Sequence, residues 1–117
     1  MISHVIELRT SLSKEKLLTY ITRFLSTHSF KSRYLIIKIN LHSHNNIIVP
    51  IGGNYFIDLK NASEVKSFKF YIKQYYVYNY LTQTDIPEVR RIVFNYTEIT
   101  KKEYTEHTSK FVKDLEN

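Results

Sequence analysis

Tyrosines and phenylalanines interleaved with lysines over Asn61–Leu81, NASEVKSFKFYIKQYYVYNYL, are the residues of this chain best suited to chemistry with a partner. Seven aromatic side chains (Phe68, Phe70, Tyr71, Tyr75, Tyr76, Tyr78 and Tyr80) stand among Lys66, Lys69 and Lys73. A flat ring stacks on a nucleobase for about 1–3 kcal/mol, and a lysine or arginine neutralises a phosphate. The same pairing recurs elsewhere: Tyr34 and Lys38 share one side of an apolar run that follows Arg33, and Arg90-Arg91 opens another run. Arg33, Tyr34, Lys38, Lys66, Lys69, Lys73, Tyr76, Arg90 and Arg91 therefore form the candidate nucleic-acid-binding set. For any single tyrosine the competing reading is packing in the core or at its rim, because most of the ring is apolar.

His42-Ser43-His44 is the clustered histidine pair. Alternate residues of a strand project to the same side, so the two imidazoles can meet one divalent ion. With Tyr71, Tyr75 and Tyr76 following on a helix, this order resembles the HUH-like replication-initiation nucleases. Those enzymes hold a metal with a His-hydrophobic-His strand and attack DNA phosphate with a helical tyrosine. The resemblance implies a metal-dependent nuclease using His42, His44 and Tyr75 or Tyr76. The chain departs from the pattern at Ser43, which stands where the hydrophobic residue belongs, and at Asn45-Asn46, which puts the pair beside a turn with no third ligand in spacing. Two exposed turn histidines are the alternative.

Other chemistries find no constellation. No serine lies in a Gly-x-Ser-x-Gly elbow, and Gly52-Gly53 lacks the spacing of a phosphate or dinucleotide loop and reads as a turn. The carboxylates Asp58, Asp85, Glu88, Glu98, Glu103 and Glu106 fall at element ends or on polar faces. The expectation is a non-enzymatic domain without a cofactor.

These side chains need elements to position them. Ile2–Arg9 alternates as a half-buried strand. Ser11 or Ser13 caps a helix in which Leu17, Leu18, Ile21, Phe24 and Leu25 form the apolar stripe, ending near Ser29. Arg33–Leu41 reads as a central strand, since even its outer face begins apolar, and His42–Asn46 as a polar turn. Ile47–Ile51 and Tyr55–Lys60 read as two strands joined in a hairpin at Gly52-Gly53, with Pro50 assigning its strand to an edge. The aromatic stretch is a helix from its Asn61/Glu64 capping box to about Leu81, with Val65, Phe68, Ile72 and Tyr75/Tyr76 turned inward. A strand is the competing reading there, since Phe68, Phe70 and Ile72 also alternate. Thr82–Glu88 is a loop, Val89–Ile99 a strand, and Thr100/Glu103 caps a last helix carrying Tyr104, Thr108, Phe111 and Leu115. The order predicts one α+β domain over 1–117, an antiparallel or mixed sheet with helices on one face. It is a ferredoxin-like β-α-β-β-(β)-α-β with one added strand and a C-terminal helix.

Charge is unevenly spread along the 117 residues. The net charge is +6, yet Arg9–Thr84 holds eleven bases against three acids, a balance of +8, and no carboxylate lies between Lys16 and Ile57. Asp85–Asn117 holds six bases and seven acids, a balance of −1. Such a field attracts phosphate backbones or anionic surfaces, and a basic face kept for solubility is the plainer reading. There is no cysteine, which excludes disulfides and thiolate metal sites. No apolar run nears the roughly 20 residues of a membrane span, and the N-terminus lacks a secretory pattern. An intracellular protein is expected. Enrichment in Ile, Lys, Asn, Tyr and Phe points to an AT-rich genome, whether organellar, viral, plasmid or microbial.

Three blocks carry a further likeness: Arg33-Tyr34-Leu35-Ile36-Ile37-Lys38-Ile39; Ile51-Gly52-Gly53 followed by Phe56-Ile57-Asp58-Leu59; and Arg91-Ile92-Val93-Phe94-Asn95-Tyr96. Over about residues 33–99 the chain resembles the segment ahead of the exonuclease domain in protein-primed family B DNA polymerases of fungal mitochondria and linear plasmids. That family's exonuclease and polymerase carboxylate motifs are absent, so no catalytic residue transfers. The resemblance implies a domain that touches nucleic acid or a replication partner without polymerase activity. Nucleic acid is thus the first expected partner; a structural or inhibitory protein–protein subunit, using the tyrosine-rich surface, is the second.

Overall fold

Ser13 and the apolar spacing behind it set the first helix. The Ser13 hydroxyl accepts from the Lys16 N–H at 3.1 Å, and Leu17, Ile21 and Phe24 recur at helical spacing and are buried. The helix stops where His28 turns to extended backbone while its N–H still reaches the Phe24 carbonyl. At Asn61 the side chain accepts from the Ser63 and Glu64 N–H groups. The expected return half of that box does not form. The Asn61 N–H goes to the Asp58 carbonyl, and the Glu64 carboxylate accepts instead from the Tyr104 hydroxyl. Thr100 and Glu103 do form the reciprocal box, through Glu103 N–H to Thr100 Oγ1 at 3.1 Å and Thr100 N–H to Glu103 Oε1 at 3.4 Å.

The computed structural model describes residues 1–44, 46–78 and 88–116, with side chains as far as Ser109. The elements are β1 (Ile2–Glu7), α1 (Lys14–Thr27), β2 (Tyr34–Ser43), β3 (Ile48–Asp58), α2 (Ala62–Tyr76), β4 (Val89–Ile99) and α3 (Lys101–Glu116). The four strands make one sheet in the order β1-β4-β2-β3, with every neighbouring pair antiparallel. Each of the units β1-α1-β2 and β3-α2-β4 is split by a strand of the other, the interlocking that makes a ferredoxin-like α+β domain. The expected end of the aromatic helix beyond Tyr78, with Tyr80 and most of the following loop, lies outside the described residues.

Strand alternation decides the layers. Leu35, Ile37, Ile39 and Leu41 are 0–1% exposed and share a face with Ile57, Ile92 and Phe94. Against that face lie Leu17, Ile21 and Phe24 of α1 and Phe68, Ile72 and Tyr76 of α2. Phe24 stacks on Phe94 with centroids 4.4 Å apart, at the centre of the α1 contact. Tyr34 and Phe56 project from the opposite face. There α3 covers one end of the sheet, with Tyr104 at 4.9 Å from the Tyr34 ring and His107 flat on Phe56 at 4.5 Å. The expectation that helices keep to one face therefore holds for α1 and α2 and not for α3.

Gly52-Gly53 is not a hairpin turn. Ile48–Asp58 is a single edge strand, as Pro50 requires, and it pairs with β2 on both sides of a bulge. Ile37 faces Tyr55 and Ile39 faces Ile51, so Lys38 alone stands opposite Gly52, Gly53 and Asn54. The bulge is clamped from α2: the Tyr71 hydroxyl accepts from the Gly53 N–H at 3.0 Å. A Cβ on Gly52 would stand 2.5 Å from that hydroxyl, and the residue has φ +75°. Close approach and backbone conformation both demand glycine there. Hence the optional fifth strand is part of β3.

Candidate nucleic-acid interface

Helical spacing puts Lys66, Lys69, Phe70 and Lys73 on the side of α2 away from Phe68, Ile72 and Tyr76. On α1 the same rule turns Thr19, Thr22, Arg23 and Ser26 outward from the buried Leu17, Ile21 and Phe24. The two outward faces meet in a groove of about 710 Å³, with Leu18 also in its wall. No carboxylate lines it. Among the described residues none of Arg23, Lys66, Lys69 and Lys73 is in an ion pair. Lys69 donates to Thr22 Oγ1 at 3.3 Å across the groove.

The groove's hydroxyls are already donating to their own helix. Thr19 Oγ1 donates to the Glu15 carbonyl and Thr22 Oγ1 to the Leu18 carbonyl, each at 2.9 Å. They keep lone pairs for a ligand donor, so an entering phosphate is met by the four cations. Phe70, 56% exposed, stands beside them as an open ring. Cations without counterions beside an exposed ring can take phosphate and base together.

The other expected binders fall elsewhere. Arg33 grips Asp58 in a two-pronged pair, Nε to Oδ1 at 2.8 Å and Nη2 to Oδ2 at 2.6 Å. That bond raises the Arg33 pKa and holds the buried Asp58 carboxyl below its ordinary 3.8. Tyr34 is half-buried beneath Tyr104 and the Arg33 guanidinium, so it is no open platform. Lys38 sits half-buried on the sheet face opposite α1 and α2, beside Asn95 in register. Tyr76 is fully buried, with its hydroxyl donating to the Leu12 carbonyl at 3.2 Å. Its place in the binding set is corrected: the helical stripe Phe68-Ile72-Tyr76 is the apolar face, and burial raises the phenol's pKa.

Arg90 and Arg91 line a polar hollow with Glu7, His42, Ser43 and His44 at the other end of the sheet. Arg91 pairs with Glu7 at 2.7 Å, and Arg90 Nε donates to His44 Nε2. His42 is in β2 rather than in a turn, opposite Arg91 and Ile48. His44 Nε2 is turned to Arg90, and the Tyr71 and Tyr76 hydroxyls hold the β3 bulge and the α1 approach. Among the described residues no group of three or more metal-ligating side chains converges.

A second cluster escaped the sequence reading. His4 stacks on Phe24 at 4.9 Å and meets His28 edge-on at 5.4 Å. His28 Nε2 and the Tyr96 hydroxyl share a hydrogen bond at 2.8 Å. The two histidines come from β1 and the end of α1, so only the crossover joins them. Arg23 was missed for a simpler reason, because it lies among hydroxyls rather than aromatics. The acid-free run from Leu17 to Phe56 was the signal that pointed to it.

Comparison of the chain with protein-family models, curated proteins and solved structures returns no match. Among the described residues no helix is long and apolar enough to cross a membrane.

Proposed function

We propose that the protein binds nucleic acid through the groove between α1 and α2, with Arg23, Lys66, Lys69 and Lys73 on the phosphates and Phe70 against a base. The observation that carries this reading is the set of four cations that, among the described residues, have no counterion and line a groove with no carboxylate in its wall. Phosphate binding releases condensed counterions, so the affinity falls as salt rises. The test is binding of labelled single- and double-stranded oligonucleotides at two salt concentrations, with Lys69→Glu/Lys73→Glu beside the wild-type chain. Salt-sensitive binding that the double variant loses supports the groove. Absence of binding at low salt overturns the reading.

A protein partner is the second reading, favoured by the exposed rings of Phe70 and Tyr75 on α2 and of Tyr78 just beyond its end. Aromatic residues are enriched at interface centres. A complex that survives nuclease treatment would select it.

A further inference from the structure

Beside the groove, β1 and α1 enclose a second pocket of about 340 Å³, lined by His4, Tyr20, Arg23, Phe24, Thr27 and His28 among others. Arg23 lines both spaces, so its side chain borders each of them. This volume is at the small end of the roughly 300–1,000 Å³ range of small-molecule sites. We propose that the pocket seats one unstacked nucleobase of a single strand lying in the groove, with Arg23 holding the adjoining phosphate. The inference rests on the groove reading and names its substrate class.

The walls suit a flat heterocycle. Phe24 is fixed by its stack on Phe94, and His28 by its bond to Tyr96. Phe24 is sandwiched between His4 and Phe94 and buried, so it backs the wall. The ring surface open to the pocket belongs to the half-buried His4, Tyr20 and His28, and the Arg23 guanidinium lies 5.9 Å from the Tyr20 centroid. Polar partners for a base edge are present. Among the described residues no hydrogen bond engages the His4 imidazole or the Tyr20 hydroxyl, and Thr27 Oγ1 donates to the Arg23 carbonyl, keeping its lone pairs. Burial and the neighbouring His28 lower the His4 pKa below 6.5, so at neutral pH its ring is an uncharged stacking surface.

Other occupants fit less well. Arg23 repels a cation, and among the described residues no carboxylate lines the pocket. Two edge-on imidazoles with one ring nitrogen bound to a phenol do not converge on a metal ion. A purely apolar ligand would desolvate two imidazoles and a guanidinium without return. Duplex DNA keeps its bases stacked inside, so a base-seating pocket demands single strands.

Two measurements test this. First, adenosine monophosphate is titrated into the wild-type chain and into Lys69→Glu/Lys73→Glu while the His4 and His28 ring C–H resonances are followed. Ring-current shifts are expected in both proteins, because the variant leaves the pocket intact; their absence overturns the inference. Second, a single-stranded oligonucleotide is compared with the same strand made abasic. Loss of the bases should weaken binding about 10-fold, and Tyr20→Leu should shrink that ratio while melting like the wild type. Equal affinity for the intact and abasic strands overturns the inference, whatever Lys69→Glu/Lys73→Glu does to the groove. Because the intact-versus-abasic ratio is read on the unmutated chain, a Tyr20→Leu protein that failed to fold would leave the test standing.

Discussion

The helix groove and the strand-end hollow contain similar residues and are built for opposite ends. In the groove, Arg23, Lys66, Lys69 and Lys73 have no counterion among the described residues. In the hollow, Arg91 is held by Glu7, Arg90 is turned to His44, and His44 stands 4.0 Å from Glu88. Arg33 behaves as the hollow's arginines do, since its guanidinium is paired with Asp58. A cation whose field is cancelled nearby contributes to the fold, whereas one that faces water alone contributes to the potential a partner meets. The four cations of the groove and the two arginines of the hollow therefore differ in what they can recruit.

The largest effect should come from setting the two against each other. Lys69→Glu/Lys73→Glu should lower the log–log salt slope of oligonucleotide binding by about 2, one for each phosphate contact removed. Arg90→Gln/Arg91→Gln should leave that slope within about 0.5 of the wild type. Equal losses from the two pairs would erase the distinction.

Next in size is a stability effect confined to the fold. Gly52→Ala should destabilise the chain by more than about 1 kcal/mol, because the new Cβ meets both the Tyr71 ring and a positive φ. Gly53→Ala, with nothing within 4 Å of its Cβ position, should cost less. Urea midpoints of the two variants measure the difference, and equal midpoints would remove the clamp from the account.

The Arg33–Asp58 pair sharpens the contrast through pH. The folded-state carboxyl of Asp58 titrates below its ordinary 3.8, so the unfolded chain binds the proton first as the solution is acidified. The pair's stabilisation is full above pH 3.8 and is lost as the pH falls through the lowered folded value. The gap in urea midpoint between wild type and Asp58→Asn should close over that window, while oligonucleotide binding at neutral pH stays unchanged. A gap that persists to the lowest pH would deny the pair its electrostatic role.

Smallest of all is the release of a paired cation. Glu7→Gln frees Arg91 and should raise oligonucleotide affinity at low salt by less than about threefold, with little change in melting, since an exposed pair is worth about 0–1 kcal/mol. A larger gain would bring the strand end into the binding surface.

Much of the architecture was legible in the residues. The Ser13, Asn61 and Thr100 caps, the α1 stripe, the central place of β2 and the edge place of Pro50 all follow from local stereochemistry, which acts within a turn or a strand pair. The Gly52-Gly53 reading failed because a glycine pair marks unusual backbone without saying whether the chain reverses or bulges. The answer came from Tyr71, which lies 18 residues on from Gly53. Tyr76 was misplaced because a helix crowded with aromatics offers more rings than one face can hide, and the period alone does not choose among them.

Local pattern was enough for the helices and strands and their order, save that β3 read as two strands, and for the lysine spacing on α2 and the basic excess of the first two-thirds of the chain. These depend on backbone preference and on counting. Folding in three dimensions set which cations remain without a counterion among the described residues, brought His4 and His28 together over Phe24, and placed Tyr34 under α3. Those outcomes depend on side chains distant in sequence arriving at one place. An electrostatic field or a pocket wall is set by separation in space, which local pattern does not encode.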